Sequence, residues 1–191
     1  TQQSVSVVTT EQIEQQGADS LGEALSYSTG VLGQPFGADP RFNSPTIRGF
    51  TSENAQYVNG LRQGRLFGAQ AYEIYGMQQI EVVRGPSSSL YGSGSPAGVI
   101  NQVQKRAQST EFGEVGLGLD SNDGKQVFFD VNRAPGDTLS WRLTGTGRDI
   151  RTQIDELDNE RGYLAGAVRW NPDDATTIDF LASYTKDAPI S

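Results

Sequence analysis

Between Phe112 and Tyr184 the chain alternates apolar and polar residues with a period of two. Val115, Leu117 and Leu119 alternate with Glu114, Gly116, Gly118 and Asp120, and Val127, Phe129 and Val131 alternate with Gln126, Asp130 and Asn132. Leu139, Trp141 and Leu143 repeat the pattern against Ser140, Arg142 and Thr144. Leu164, Val168 and Trp170 continue it, and Ile178, Phe180, Ala182 and Tyr184 close it against Thr177, Asp179 and Ser183. Successive side chains of a strand point to opposite faces, so this pattern predicts five strands of about ten residues, each apolar on one face only. A membrane barrel with its apolar face toward lipid has this pattern, and so does a one-sided soluble sheet. The connections SNDG (121–124), APGD (134–137) and NPDDAT (171–176) are short, whereas the one from Asp149 to Asn159 is longer and charged. If the first strand starts on the inner side of a membrane, APGD and NPDDAT fall on that side and SNDG and the long loop fall outside, as in bacterial barrels. In that case Val127, Phe129, Val131, Ile178, Phe180 and Tyr184 face lipid.

The first 106 residues have a different texture. Ser4 to Thr9 is a short β-rich run, Thr10 caps a helix over Glu11 to Gln16, and Gly17 stops it. Asp19 or Ser20 caps a second helix whose Leu21, Ala24 and Leu25 share a face and which Gly30 ends. From Leu32 to Asn43 the chain is turn-forming and polar apart from Phe36 and Phe42, which predicts a loop. PTIRGF (45–50) reads as a strand ended by Gly49. A polar segment from Thr51 to Asn54 leads to a strand at Ala55 to Val58, closed by the two-residue turn signal Asn59-Gly60. Gln63 to Gln70 is a second aromatic-tipped loop. Ile80, Val82 and Val83 form a strand that Gly85 and Pro86 stop. Pro86 opens a helical turn through Tyr91, the glycines and proline at 92–98 end it, and Val99, Ile100 and Val103 form a strand closing on Lys105 and Arg106. The expectation is a small α+β domain with a mixed sheet over 1–106, followed by antiparallel strands over 107–191.

Composition narrows the chemistry. The 191 residues contain no cysteine and no histidine, which removes thiolate metal sites, thiol nucleophiles, Ser-His-Asp triads, HExxH metal sites and histidine haem ligation from this stretch. A mean hydropathy of −0.48 excludes a transmembrane helix, leaving strands as the only route into a membrane. Residues 1–106 carry eight acidic and seven basic side chains and residues 107–191 carry fifteen and eight, an acidic excess that argues against nucleic acid. No N-terminal stretch has the features of a signal peptide, so the chain reads as mature or trimmed. The glycine-rich run 92–98 follows a helical turn, has no helix after it and lacks a P-loop lysine, which makes it a hinge and not a phosphate cradle. Ser87 to Ser89 have no base to activate them, and Asp155-Glu156 and Asp173-Asp174 lie in polar loops as solvated charge. No catalytic residue, resident metal or cofactor is expected.

The run VVRGPSSSLYGSGSPAGVINQVQKR (82–106), with PTIRGF at 45–50 and YVNGLRQG at 57–64, resembles the plug domain of TonB-dependent outer-membrane receptors, specifically the ferric-siderophore group. The resemblance covers residues 3–106, and the sequence after Phe112 is similar to the opening strands of the family's barrel. It implies an α+β plug domain with a small mixed sheet, followed by strands of a truncated transmembrane β-barrel. Plugged transporters need about 22 strands, so the chain would be a fragment. The implied function is uptake of a ferric siderophore across the Gram-negative outer membrane without catalysis. The implied partners are a TonB-type inner-membrane energy-coupling protein and outer-membrane lipid. The energy-coupling box expected before Thr1 is not visible. Receptors for cobalamin, haem or oligosaccharide share the plug, and a soluble β-rich binding or adhesion module explains the alternating strands but not the first 106 residues.

The resemblance also places candidate sites. Three outward plug loops fall at Gln34 to Arg41, Ser52 to Asn54 and Arg65 to Gly68, giving Gln34, Phe36, Arg41, Glu53, Asn54, Arg65, Leu66 and Phe67 as ligand contacts. The two phenylalanines would face a bulky chelate, and the arginines would meet its negative oxygens. The second loop is shorter than in the best-known hydroxamate pattern, and the third has Phe67-Gly68 where that pattern has an aromatic pair. Arg48 and Arg84, each beside a glycine, are similar to family arginines that pair with barrel-wall glutamates. With Glu81 they are expected to anchor plug to barrel, a task that suits the guanidinium fork.

Overall fold

A computed structural model describes residues 4–35, 37, 44–63, 72–85, 96–119, 124–150 and 159–189. The chain divides into two compact units, residues 1–104 and 105–191. Lys105 and Arg106, where the sequence places the end of the first domain, bind Asp130 and Asp179 of the second unit.

The first unit comprises β1 (Ser4–Thr9), α1 (Thr10–Gln16), α2 (Leu21–Ala24), β2 (Val31–Leu32), β3 (Thr46–Ile47), β4 (Phe50–Thr51), β5 (Gln56–Val58), β6 (Leu61–Arg62), a 3-10 turn at Ile74–Gly76, β7 (Met77–Arg84) and β8 (Gly98–Gln104). Its main sheet runs β1-β7-β8-β5-β6 and is mixed, because β5 pairs in parallel with β8 while the other pairs are antiparallel. Alternation along the central strands supplies two cores. Ile80 and Val82 of β7 join Val8 and Ile100 in packing against Ile13, Leu21 and Leu25 of the helical segment. Val83 and Val99 pack with Ala55 and Tyr57 in a second cluster. The helix cap lies at Thr9, one residue before the expected Thr10, and the Gln12 side chain accepts from the Thr9 amide as in a capping box. α2 ends at Ala24, well short of Gly30. Ser26 Oγ bonds back to the Gly22 carbonyl, and the short polar side chains Ser26, Ser28 and Thr29 are poor at extending a helix.

PTIRGF folds as a hairpin and not as one strand. Arg48 (φ 50°) and Gly49 (φ 82°) both take left-handed backbone between β3 and β4, the signature of a primed two-residue turn. With β2 this hairpin makes a separate sheet of order β2-β3-β4. Asn59 (φ 51°) and Gly60 (φ 80°) form the turn the sequence predicts between β5 and β6. The helical turn expected at Pro86–Tyr91 lies outside the described residues.

The second unit is one antiparallel sheet of consecutive strands: β9 (Phe112–Leu119), β10 (Lys125–Arg133), β11 (Leu139–Ile150), β12 (Asn159–Asp173) and β13 (Thr176–Pro189). Register brings the apolar positions into cross-strand rows such as Val115–Phe129–Gly145–Leu164–Tyr184 and Trp141–Val168–Phe180. This apolar face is the exposed one: Leu117 is 84% and Phe180 63% exposed, whereas Asp130 is 2% and Asn132 0%. This arrangement, polar side in and apolar side out, is that of a barrel wall. Val127, Phe180 and Tyr184 are exposed, and Phe129, Val131 and Ile178 are half-buried in the same rows. Phe129 covers Gly145, where an added Cβ would lie 2.5 Å from its ring, and Phe128 covers Gly116 from the polar face. Trp141 and Trp170 sit near the short-turn end, as in an interfacial aromatic belt. β12 and β13, at 15 and 14 residues, exceed the expected ten.

Candidate functional site

The three-stranded sheet sets the geometry of the candidate loops. β2 and β4 run in the same direction on either side of β3, so the chain after Leu32 and the chain after Thr51 leave the sheet at one end, with Arg48-Gly49 at the other. Gln34 and the Glu53–Asn54 turn therefore exit together. Gln34 Nε2 donates to Glu23 Oε1 at 3.2 Å, and the Glu53 amide donates to Thr51 Oγ1 at 3.3 Å. The third loop starts nearby: Arg62 Nε donates to the Asn54 carbonyl at 3.1 Å, and the Gln63 amide to the Gln56 carbonyl at 2.9 Å. The Tyr72 hydroxyl donates to Gln63 Oε1 and closes the base of this loop. Phe36, Arg41, Arg65, Leu66 and Phe67 lie outside the described residues.

The anchoring candidates separate. Arg84 continues the buried row of Ile80 and Val82, is 5% exposed and donates from Nη1 to Ser6 Oγ at 2.7 Å. Its Nε and Nη2 are buried without an acceptor among the described residues. Burial, and then the field of Arg48, push its pKa below the ordinary arginine value. Arg84, with buried donors to spare and the exposed Arg48 close enough to be felt, offers a guanidinium fork suited to a carboxylate. Glu81 points to the opposite face of β7, where its oxygens accept from Gln79 Nε2 at 2.6 Å and Asn101 Nδ2 at 2.9 Å, and Asn101 Oδ1 holds the Gly60 amide. It belongs to a network around the Asn59-Gly60 turn and does not join the two arginines.

The structure adds a group that the sequence reading passed over. On the polar face of the second unit, Asp130 accepts two bonds from Arg142 (2.8 and 2.7 Å), one from Lys105 (2.9 Å) and one from Thr144 (3.2 Å). Arg142 also lies 5.0 Å from the Phe112 ring centroid. Asp179 likewise takes both Arg169 (2.7 and 2.9 Å) and Arg106 (3.1 Å). Opposite charges on neighbouring strands were the available signal, but only register shows that they meet. No group able to hold a metal ion occurs among the described residues.

A small mixed α+β domain followed by antiparallel strands with an exposed apolar side defines the plug-bearing part of an outer-membrane receptor. The chain belongs to the TonB-dependent receptor plug family, a family of the Gram-negative outer membrane: residues 1–99 match the TonB-dependent Receptor Plug Domain. Among curated relatives, the ferrichrome outer membrane transporter/phage receptor of Escherichia coli K12 is 36% identical, over 98% of this chain and 26% of its own length. The ferrioxamine receptor of Yersinia enterocolitica is 33% identical, over 98% and 27%. The crystal structure of the siderophore receptor PiuA from Acinetobacter baumannii superposes with a TM-score of 0.85 at 27% identity, covering 97% of this chain and 26% of that one. The chain spans about a quarter of the length of these relatives. They are transporters and receptors, not enzymes.

Proposed function

We propose that the receptor containing this chain binds a ferric siderophore at the outward plug loops and carries it across the outer membrane with energy from a TonB-type inner-membrane protein, with no reaction catalysed. The observation that supports this reading is the shared exit of the loops. Gln34, the Glu53–Asn54 turn and the closed base of the third loop lie together, with Arg48 at the far end of the small sheet. One end of the domain is thereby free to meet ligand, with Phe36 and Phe67 offering apolar faces and Arg41 and Arg65 meeting chelate oxygens, while Arg48 and Arg84 seat barrel carboxylates. The test is growth of a deletion strain on a panel of ferric chelates under iron limitation, with and without the energy-coupling protein. Loss of growth on one ferric siderophore, restored by the full receptor only when the coupling protein is present, is the expected result. Unchanged growth on every ferric chelate, with a defect on cobalamin or an oligosaccharide, would replace the ligand class.

A further inference from the structure

Gly22 in α2 and Gly33 just after β2 touch through their backbones. A Cβ built on Gly33 would lie 2.0 Å from the Gly22 carbonyl oxygen, and one built on Gly22 would lie 2.6 Å from the Gly33 carbonyl oxygen and 2.8 Å from Gln34 Cγ. Ordinary contact begins at 3.4 Å, so neither position has room for a methyl. Neither glycine has a positive φ, which makes close approach, and not backbone freedom, the reason for glycine at both. Both are buried.

The two sides of this contact are held unequally. α2 is fixed by Leu21, Ala24 and Leu25, each 1% exposed or less in the main core. Beyond β2 the chain has Leu32 exposed and Gln34 and Pro35 only half-buried. When the contact is crowded, the segment after β2 yields and the helix stays.

A polar lock accompanies the glycine contact. Ser20 Oγ accepts from the Glu23 amide at 3.2 Å and Glu23 Oε2 accepts from the Asp19 amide at 2.8 Å, which holds the carboxylate at the start of α2. Glu23 Oε1 accepts from Gln34 Nε2 at 3.2 Å, and the Gly37 amide donates back to the Gln34 carbonyl at 3.2 Å. Pro35 and Phe36 lie between Gln34 and Gly37 in the chain. The first candidate loop therefore departs from a residue whose place is set by α2.

We propose that Gly22, Gly33 and Glu23 are positioning residues for the first ligand loop: the paired absence of side chains lets the loop base sit directly on α2, and Glu23 fixes Gln34 there. This rests on the transport reading, in which that loop contacts the ferric chelate. The three residues act through Gln34 and, beyond it, Phe36. A binding surface is held to a fraction of an ångström, so a methyl that lifts the loop base misplaces its contacts while the sheets stay intact.

A crystal structure of the full receptor carrying Gly33→Ala tests the geometry without any ligand. Gln34 should move at least about 1 Å away from Glu23 and lose its bond, with Leu21 and Leu25 in place; a displaced α2 beside an unmoved Gln34 overturns the proposal. Uptake of ferric chelate supplies the functional readout. In Gly33→Ala the half-saturating concentration should rise about tenfold, while maximal uptake per heat-modifiable receptor and sensitivity to a bulky antibiotic stay within about twofold. Reduced maximal uptake at unchanged half-saturation would assign the glycines to folding of the domain and sink the positioning role. Glu23→Ala should raise the half-saturating concentration about threefold, and Glu23→Gln, which keeps the length and one accepting oxygen, should fall between Glu23→Ala and the parent. If Gly33→Ala does not assemble, Gly22→Ala and Glu23→Ala decide, and unchanged half-saturation in both overturns the proposal. A displaced Gln34 in a receptor that takes up no ferric chelate upholds the positioning of the loop and rejects the transport reading alone.

Discussion

Arg84, the last residue of β7, donates to the hydroxyl of Ser6 in the first strand at 2.7 Å, so the position of its guanidinium depends on β1 being in place. Its Nε and Nη2 are buried without an acceptor among the described residues. Arg84→Ala and Arg48→Ala should loosen the plug and raise sensitivity to a bulky antibiotic several-fold, with chelate binding to whole cells changed by less than about 0.5 kcal/mol. Ser6→Ala should leak less than Arg84→Ala. Lost affinity without leakage in the arginine variants would mean that they touch ligand.

Asp130 balances two buried cations, and removing it takes the carboxylate from both. Asp130→Ala should destabilise the assembled receptor by about 3–5 kcal/mol, the scale for breaking a buried pair. Asp130→Asn, which keeps shape and some hydrogen bonding, should lose less. The midpoint of heat-modifiable migration measures both, and equal midpoints for Asp130→Ala and the parent would show that the cluster carries no stability.

The row through Phe129 gives a paired test of the apolar face. Phe129→Arg should cost roughly 2–4 kcal/mol near the bilayer midplane. Gly145→Ala forces a methyl into the Phe129 ring and should cost about 1–3 kcal/mol. Adding Phe129→Leu should recover part of that loss, since contacting residues are not additive. Additive losses in the double variant would separate the ring from the glycine.

Replacing Phe36 and Phe67 together with alanine should weaken ferric-chelate binding by about 1–3 kcal/mol, the scale of one large apolar side chain, with normal receptor levels. Unchanged affinity in whole-cell binding would remove both from the ligand surface.

Residues 1–104 carry their own core, from Val8 through Leu25 to Ile100. Expressed alone they should be water-soluble and at least partly folded, as judged by circular dichroism and limited proteolysis. A wholly disordered product would contradict a separable domain.

Much of the fold was legible because periodicity reports directly on facing. The alternation in 112–184 set the five strands and their two faces, and Asn59-Gly60 announced its turn. Which face is covered was not legible, since lipid and a protein interior select the same apolar row; in the fold Leu117 is exposed and Asp130 buried. Arg48-Gly49 was missed as a turn because arginine seldom adopts positive φ, so PTIRGF looked continuous. Gln34 and Asn54 come near one another only through the pairing of β2, β3 and β4, and Lys105 meets Asp130 only through the fold. Neither relation has a local sequence signal.

The strand order β1-β7-β8-β5-β6 also fixes when the plug can exist. Its two central strands are the last to be synthesised, and β1 waits for a partner more than 70 residues further along, from Ser4 to Arg84. Until the chain through Gln104 is available, β1 and the β5-β6 hairpin have no main sheet to join, and closing such distant pairs is slow. Core residues such as Val8 and Leu25 therefore have no sheet to cover them before β7 and β8 exist. A chain cut short before Met77–Gln104 should expose those residues and aggregate where residues 1–104 stay soluble.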